Sequence, residues 1–263
     1  MRFVVAVVLA FVAAVVAFYV GVGGVSYEKR EMDELGEVHE VVVAGPYVLI
    51  KHDPHRYQTE GDFDKMMKYV EARRASWERW RRLVDKYGDE EYLAYVVPCR
   101  ILTFDEFRTL AKALNLTDKI TGVASYTYYK NGTYHGLGYT LRLEGMSFED
   151  LLLIREKAAF EAVGYYVSWL QWRGAGDGEP PPFNRTMAVE VGRSVAEVYV
   201  GGFEVKTSLR ELYILSKRPE ILMVDTPLDL IWKYREAGKI VTVKRVTHYV
   251  KLLVEKKNLC NRP

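Results

Sequence analysis

The sequence predicts an α+β protein: an N-terminal transmembrane helix, then a ferredoxin-like (split βαβ) antiparallel sheet with helices on one face and a βαβαβ extension. Three observations predict it. Residues 3–25 carry no charge. Thr103-Phe-Asp-Glu106 and Ser208-Leu-Arg-Glu211 are capping boxes, in which hydroxyl and carboxylate satisfy the free N–H groups at a helix start. Asn131-Gly132 sits between two β-rich runs, as a type I′ hairpin turn requires.

Phe3 to Val25 is an uncharged run of 23 residues. As a helix it covers about 34 Å, against a bilayer core of roughly 30 Å. A retained anchor in the lipid bilayer is the expectation; a secretory signal cut near Gly21–Gly24 is the alternative. Residues 26–36 read as a polar stalk. Val41–Val43 and Tyr47–Ile50, separated by Ala44-Gly45-Pro46, read as strand, turn and strand. Asp62 opens a helix to Tyr87, and these pieces make a segment 37–90 of hairpin plus long basic helix. From 91 to 263 the reading is one ferredoxin-like domain. Its elements are a strand Tyr92–Val97, a helix from Thr103 to Leu114, a hairpin of Ile120–Tyr129 with Tyr134–Leu143, and a helix Phe148–Trp172 capped by Ser147. After an internal loop, 174–185, come a strand 195–205, a helix from Ser208, a strand 221–224, a helix begun by Pro227 and a strand 239–246.

Net charge is +2 from 37 basic and 35 acidic residues, which argues against a nucleic-acid partner. Five asparagines form three N-x-T sequons, at Asn115, Asn131 and Asn184, where about 0.4 is the chance expectation. They point to an extracytoplasmic, glycosylated domain. Cys99 and Cys260 suit that compartment either as a disulfide or as two separate thiols. Five Asn and two Gln beside abundant Lys, Arg and Glu look thermophilic.

Chemistry is sparse. His52, Asp53 and His55 are the densest ligand-like cluster, a metal site if both rings turn the same way and a solvated turn otherwise. No cofactor motif is present: Gly174-Ala-Gly176-Asp-Gly178 precedes prolines rather than a helix start. No nucleophile has a nominated base, so the chain leans away from an enzyme. Helix 62–87 interleaves Trp77 and Trp80 with arginines, either as a basic surface for lipid headgroups or as a core helix with ion pairs. Tyr126, Tyr128, Tyr129 and Tyr134 enrich the hairpin, either as a binding surface or as a structural sheet face.

Val198-Tyr-Val-Gly-Gly-Phe-Glu-Val, Ser208–Leu215 and Pro219-Glu-Ile-Leu-Met-Val-Asp225 resemble the end of the extracytoplasmic C-terminal regulatory domain of membrane-bound anti-sigma factors. Tyr95-Val-Val-Pro98 with the Thr103 helix is similar to its opening, so about half the chain is involved. Segment 198–225 also looks like I9-type subtilisin propeptides. The resemblance implies a tethered, outward-facing sensor or binding domain. Sigma-factor binding does not carry over, because only Met1 and Arg2 precede the apolar run. The expected function is thus a membrane-anchored extracytoplasmic binding or sensing domain, non-enzymatic, with an envelope protein or glycan as partner. A protease regulator and an envelope assembly subunit are the alternatives.

Overall fold

The computed structural model describes residues 26–52, 63–176, 184–245 and 259–260. In chain order the elements begin with β1 (Tyr27–Met32), β2 (Val38–Ala44), β3 (Tyr47–His52), α1 (Phe63–Arg79), α2 (Arg81–Tyr87), β4 (Glu91–Pro98) and α3 (Phe104–Ala113). They continue with β5 (Ile120–Tyr129), β6 (Tyr134–Leu141), α4 (Phe148–Gly174), α5 (Arg185–Val195) and β7 (Ala196–Ser208). The last are α6 (Leu209–Ser216), β8 (Ile221–Asp225), α7 (Leu228–Glu236) and β9 (Ile240–Arg245). The chain divides into two compact units, one holding 26–52 and 227–245, the other 63–176, 184–226 and 259–260.

In the first unit the strand order is β1-β2-β3-β9. Alternation drives it: Val41, Val43, Val48 and Ile50 are buried, while Val42 and Leu49 between them, and the paired Glu40 and Lys51 beyond, lie on the wetter face. Gly45, at φ +56°, supplies the left-handed step of the tight turn from β2 to β3. β9 lies parallel to β3, with Val48 opposite Val241 and Ile50 opposite Val243. The segment expected as a stalk is largely strand β1, antiparallel to β2. It carries Glu28, Lys29, Arg30 and Glu31 rather than an apolar period, so no strand pattern was there to read. Charge of this kind is how an edge strand avoids unwanted pairing.

The second unit holds an antiparallel sheet in the order β6-β5-β7-β4-β8. The α+β class stands, but this is not the split βαβ arrangement. That topology puts β6 beside β4 in the sheet interior. Here β6 folds back on β5 as an edge, and β7 takes the interior place between β5 and β4. An interior strand is paired on both edges and gains most where its side chains can be buried. β7 meets that demand, with Val200, Phe203 and Val205 fully buried, whereas β6 offers Gly136 and Gly138.

No helix among the described residues is long and apolar enough to cross a membrane, so the transmembrane helix drops out of the described fold. Residues 3–25, on which that expectation fell, lie outside the described residues. The helix expected over 62–87 is two, interrupted at Trp80, whose φ of −95° and ψ of 23° leave the helical range. α1 is a core helix: Trp77 is buried and its Nε1–H donates to the Val224 carbonyl at 2.9 Å. The Thr103–Glu106 box on α3 is formed, and Ser147 with Asp150 makes a further one on α4. Of the Ser208–Glu211 box on α6 only the Ser208 half is made, because the Glu211 carboxylate goes to Thr207 and Lys119. Within the stretch read as loop 174–185, Asn184 instead caps α5, accepting from the Met187 N–H at 3.2 Å.

Candidate functional site

The hairpin between β5 and β6 is one residue longer than the type I′ expectation. Tyr129 N–H donates to the Thr133 carbonyl at 2.7 Å and Gly132 N–H to the Tyr129 carbonyl at 2.8 Å, enclosing Lys130, Asn131 and Gly132. Gly132 takes the positive φ of 87° that such a loop needs at its last residue. The register moves accordingly. Tyr128 stands opposite Tyr134 and Thr127 opposite Gly136, which leaves His135 as a bulge.

A bulged residue is free of the ladder and its side chain is re-aimed. The His135 ring reaches back to Tyr129 at 5.4 Å, edge-on, and to Tyr166 of α4 at 5.4 Å. Tyr129 Oη lies 3.1 Å from His135 Nδ1. Burial lowers the His135 pKa, which keeps the ring neutral at pH 7 and fits it to accept that phenol proton. Tyr166 in turn lies nearly parallel to Trp169, at 6.3 Å and 22°. The Arg173 guanidinium sits 4.9 Å above the Trp169 ring.

The helix explains why these rings reach solvent. Leu152, Arg155, Ala159 and Val163 form one buried stripe at helical spacing. Tyr166 and Leu170 continue it by the same steps, yet are 43% and 46% exposed. α4 therefore carries a core-type stripe beyond the part of the sheet that covers it. Its position is set at two backbone contacts. A Cβ on Gly164 or on Gly192 would collide with the Ala188 carbonyl or the Phe160 carbonyl, so α4 and α5 touch main chain to main chain. Under the sheet, Arg155 lies against Gly138, where a side chain would collide with the guanidinium, and reaches Thr140 Oγ1 at 3.4 Å.

Of the hairpin tyrosines, the structure brings Tyr129 into this cluster. Tyr126 is 1% exposed and packs where Gly201 leaves room, which removes it from any binding surface. Tyr128 meets Tyr199 edge-on at 6.1 Å. Tyr134 pairs through its backbone with Tyr128. The sequon residues Asn115, Asn131 and Asn184 are exposed. Cys99 and Cys260 form a disulfide with Cα atoms 5.3 Å apart, and Leu259 N–H donates to the Cys99 carbonyl at 2.7 Å.

His52 has a different partner from those expected. It is buried at the end of β3, its Nδ1 3.2 Å from Nδ1 of His39, whose Nε2 is 3.2 Å from Asp33 Oδ2. Asp33, His39 and His52 thus form a buried polar row, with the two imidazole rings stacked at 4.9 Å and 23°. Asp53 and His55 lie outside the described residues. Among the described residues no group of three His, Cys, Asp or Glu is arranged to hold a metal ion. A surface recess of about 490 Å³ beside Thr121 and Met146 is lined by Arg142, whose guanidinium is engaged by the Thr117 and Met146 carbonyls at 2.9 and 2.7 Å.

His135, Tyr166 and Trp169 were not nominated by the sequence, because the bulge and the overrunning helix are tertiary facts. The apolar stripe 152–170 was a readable signal. No protein-family model, curated protein or solved structure matches the chain.

Proposed function

We propose that this chain is an extracytoplasmic, non-enzymatic binding domain that recognises glycans through the aromatic platform of His135, Tyr166 and Trp169. The observation that carries the reading is the pair Tyr166 and Trp169, near-parallel at 22° and partly exposed at 43% and 38%. Part-exposed aromatic rings offer apolar surface against which a sugar ring packs, and the Arg173 guanidinium over Trp169 supplies hydrogen-bond donors for hydroxyl groups. Tyr129 holds the His135 ring in the platform through their hydrogen bond. The disulfide and the exposed sequon asparagines support the compartment.

The test is a titration of the full chain with a panel of neutral and acidic oligosaccharides, followed by tryptophan fluorescence and calorimetry. Saturable binding by at least one sugar, weakened about tenfold or more by Trp169→Ala or Tyr166→Ala, is the expected result. No saturable response at about 10 mM from any sugar, below the affinity range of specific recognition, overturns the proposal.

A further inference from the structure

The two edges of the second unit's sheet differ. β8 is buried at every one of its positions. β6, at the opposite edge, pairs only with β5 among the described residues, and Gly136 to Thr140 are half-buried. Exposed edges are commonly guarded by charge, proline or bulges. β1 follows that rule with its four charged residues. β6, reading YHGLGYTL, has neither charge nor proline, and its bulge at His135 sits at one end.

The flank of α4 beside this edge is apolar as well. Arg155 and Tyr166 mark the side of the helix that meets β6, at Gly138 and His135. Gly164 marks the side against α5. At about 100° per residue, Ile154, Ala158, Ala162 and Tyr165 fall past β6 and away from α5. Ile154 is 44% and Tyr165 55% exposed.

We propose that the β6 edge and this flank of α4 are a two-fold interface with a second copy of the chain, β6 pairing antiparallel with its counterpart. A two-fold surface answers both exposed elements at once: each strand completes the other's ladder and each helix flank covers the other. An uncharged strand meets its own copy without the repulsion that like charges impose across a ladder. The size is adequate for a weak dimer. Eight residues span about 26 Å and the sheet and helix layers together about 20 Å, giving on the order of 1,000 Å² over both copies.

Sedimentation equilibrium of the full chain, in a density-matched mild detergent that covers residues 3–25, tests this. A dimer that dissociates in the micromolar range is expected, as for an interface of about this size. Leu137→Lys on the strand and Ile154→Glu on the exposed helix flank are each expected to weaken it about tenfold or more. A wild-type chain that stays monomeric up to about 100 μM, well above the expected range, overturns the proposal. So does any oligomer that both substitutions leave unchanged, since its contacts then lie elsewhere. Circular dichroism confirms that the variants are folded; Ile154→Glu alters only a half-exposed position and carries the test if Leu137→Lys does not fold.

Discussion

Arg73 Nε lies 2.9 Å from Asp225 Oδ1, and neither side chain has any solvent exposure. Tyr69 donates to the same oxygen at 2.9 Å, so α1 is bound to the end of β8 by a charged, hydrogen-bonded knot. Removing one partner strands the other charge in the interior, at a cost of about 3–5 kcal/mol. Arg73→Met and Asp225→Leu are each expected to lose that much in urea denaturation. The double replacement Arg73→Met with Asp225→Leu is expected to lose clearly less than the two single losses added together, because no uncompensated charge remains. Simple additivity would show that the two residues act independently.

Gly164 and Gly192 allow α4 and α5 to meet at the main chain. A methyl at either position must push two backbones apart rather than displace a flexible side chain. Gly192→Ala is expected to destabilise the second unit by about 2–3 kcal/mol, the range for overpacking. A glycine inside a helix normally stabilises on replacement by alanine, so the sign alone decides whether the contact exists.

Glu31 is only one-tenth exposed. Burial alone would raise its pKa, but Lys29, Lys233 and Tyr234 outweigh burial and hold it at about 2 instead of 4.5. Lys233 Nζ and Tyr234 Oη stand 2.9 and 2.7 Å from the carboxylate, and Lys29 is in direct contact. A carboxylate depressed in this way stabilises the fold fully above about pH 4.5 and loses that contribution as pH falls toward about 2. Up to about 3 kcal/mol is at stake at 1.36 kcal/mol per unit. Glu31→Gln should flatten the loss of stability of the first unit between pH 5 and 2, and an unchanged acid profile would count against the cluster.

The disulfide closes a sequence separation of 161 residues. In the chain-entropy account that is worth about 5 kcal/mol, acting on the unfolded chain. Cys99→Ser with Cys260→Ser is expected to lower the urea midpoint substantially while leaving the circular dichroism of the folded protein unchanged. A loss under about 1 kcal/mol would mean that the reduced, unfolded chain already keeps its ends together.

Local chemistry was the legible part of this fold. Thr103, Ser147 and Ser208 each accept from the backbone three residues on, as their capping patterns announce. What one stretch of chain cannot announce is which strand it lies beside. The order β6-β5-β7-β4-β8 depends on β7 outcompeting β6 for the interior, a comparison between segments some sixty residues apart in the chain. The site was half legible. Tyr129 was one of four hairpin tyrosines named together, but a one-residue difference in the turn exchanged its partners and brought His135 to it instead. β1 was missed because its charges meet Lys233 and Tyr234, some two hundred residues away.

The Cys99–Cys260 bond also changes what proteolysis does to this molecule. Between those two residues the chain is a closed ring, and the ring includes every element from α3 to β9. Cutting a ring once opens it without releasing anything. A single nick anywhere from residue 100 to residue 259 leaves one covalent species, whose two pieces part only on reduction. As long as the bond is not reduced, a nicked copy keeps its two pieces at the high local concentration of a tethered pair, and with it the means to stay assembled.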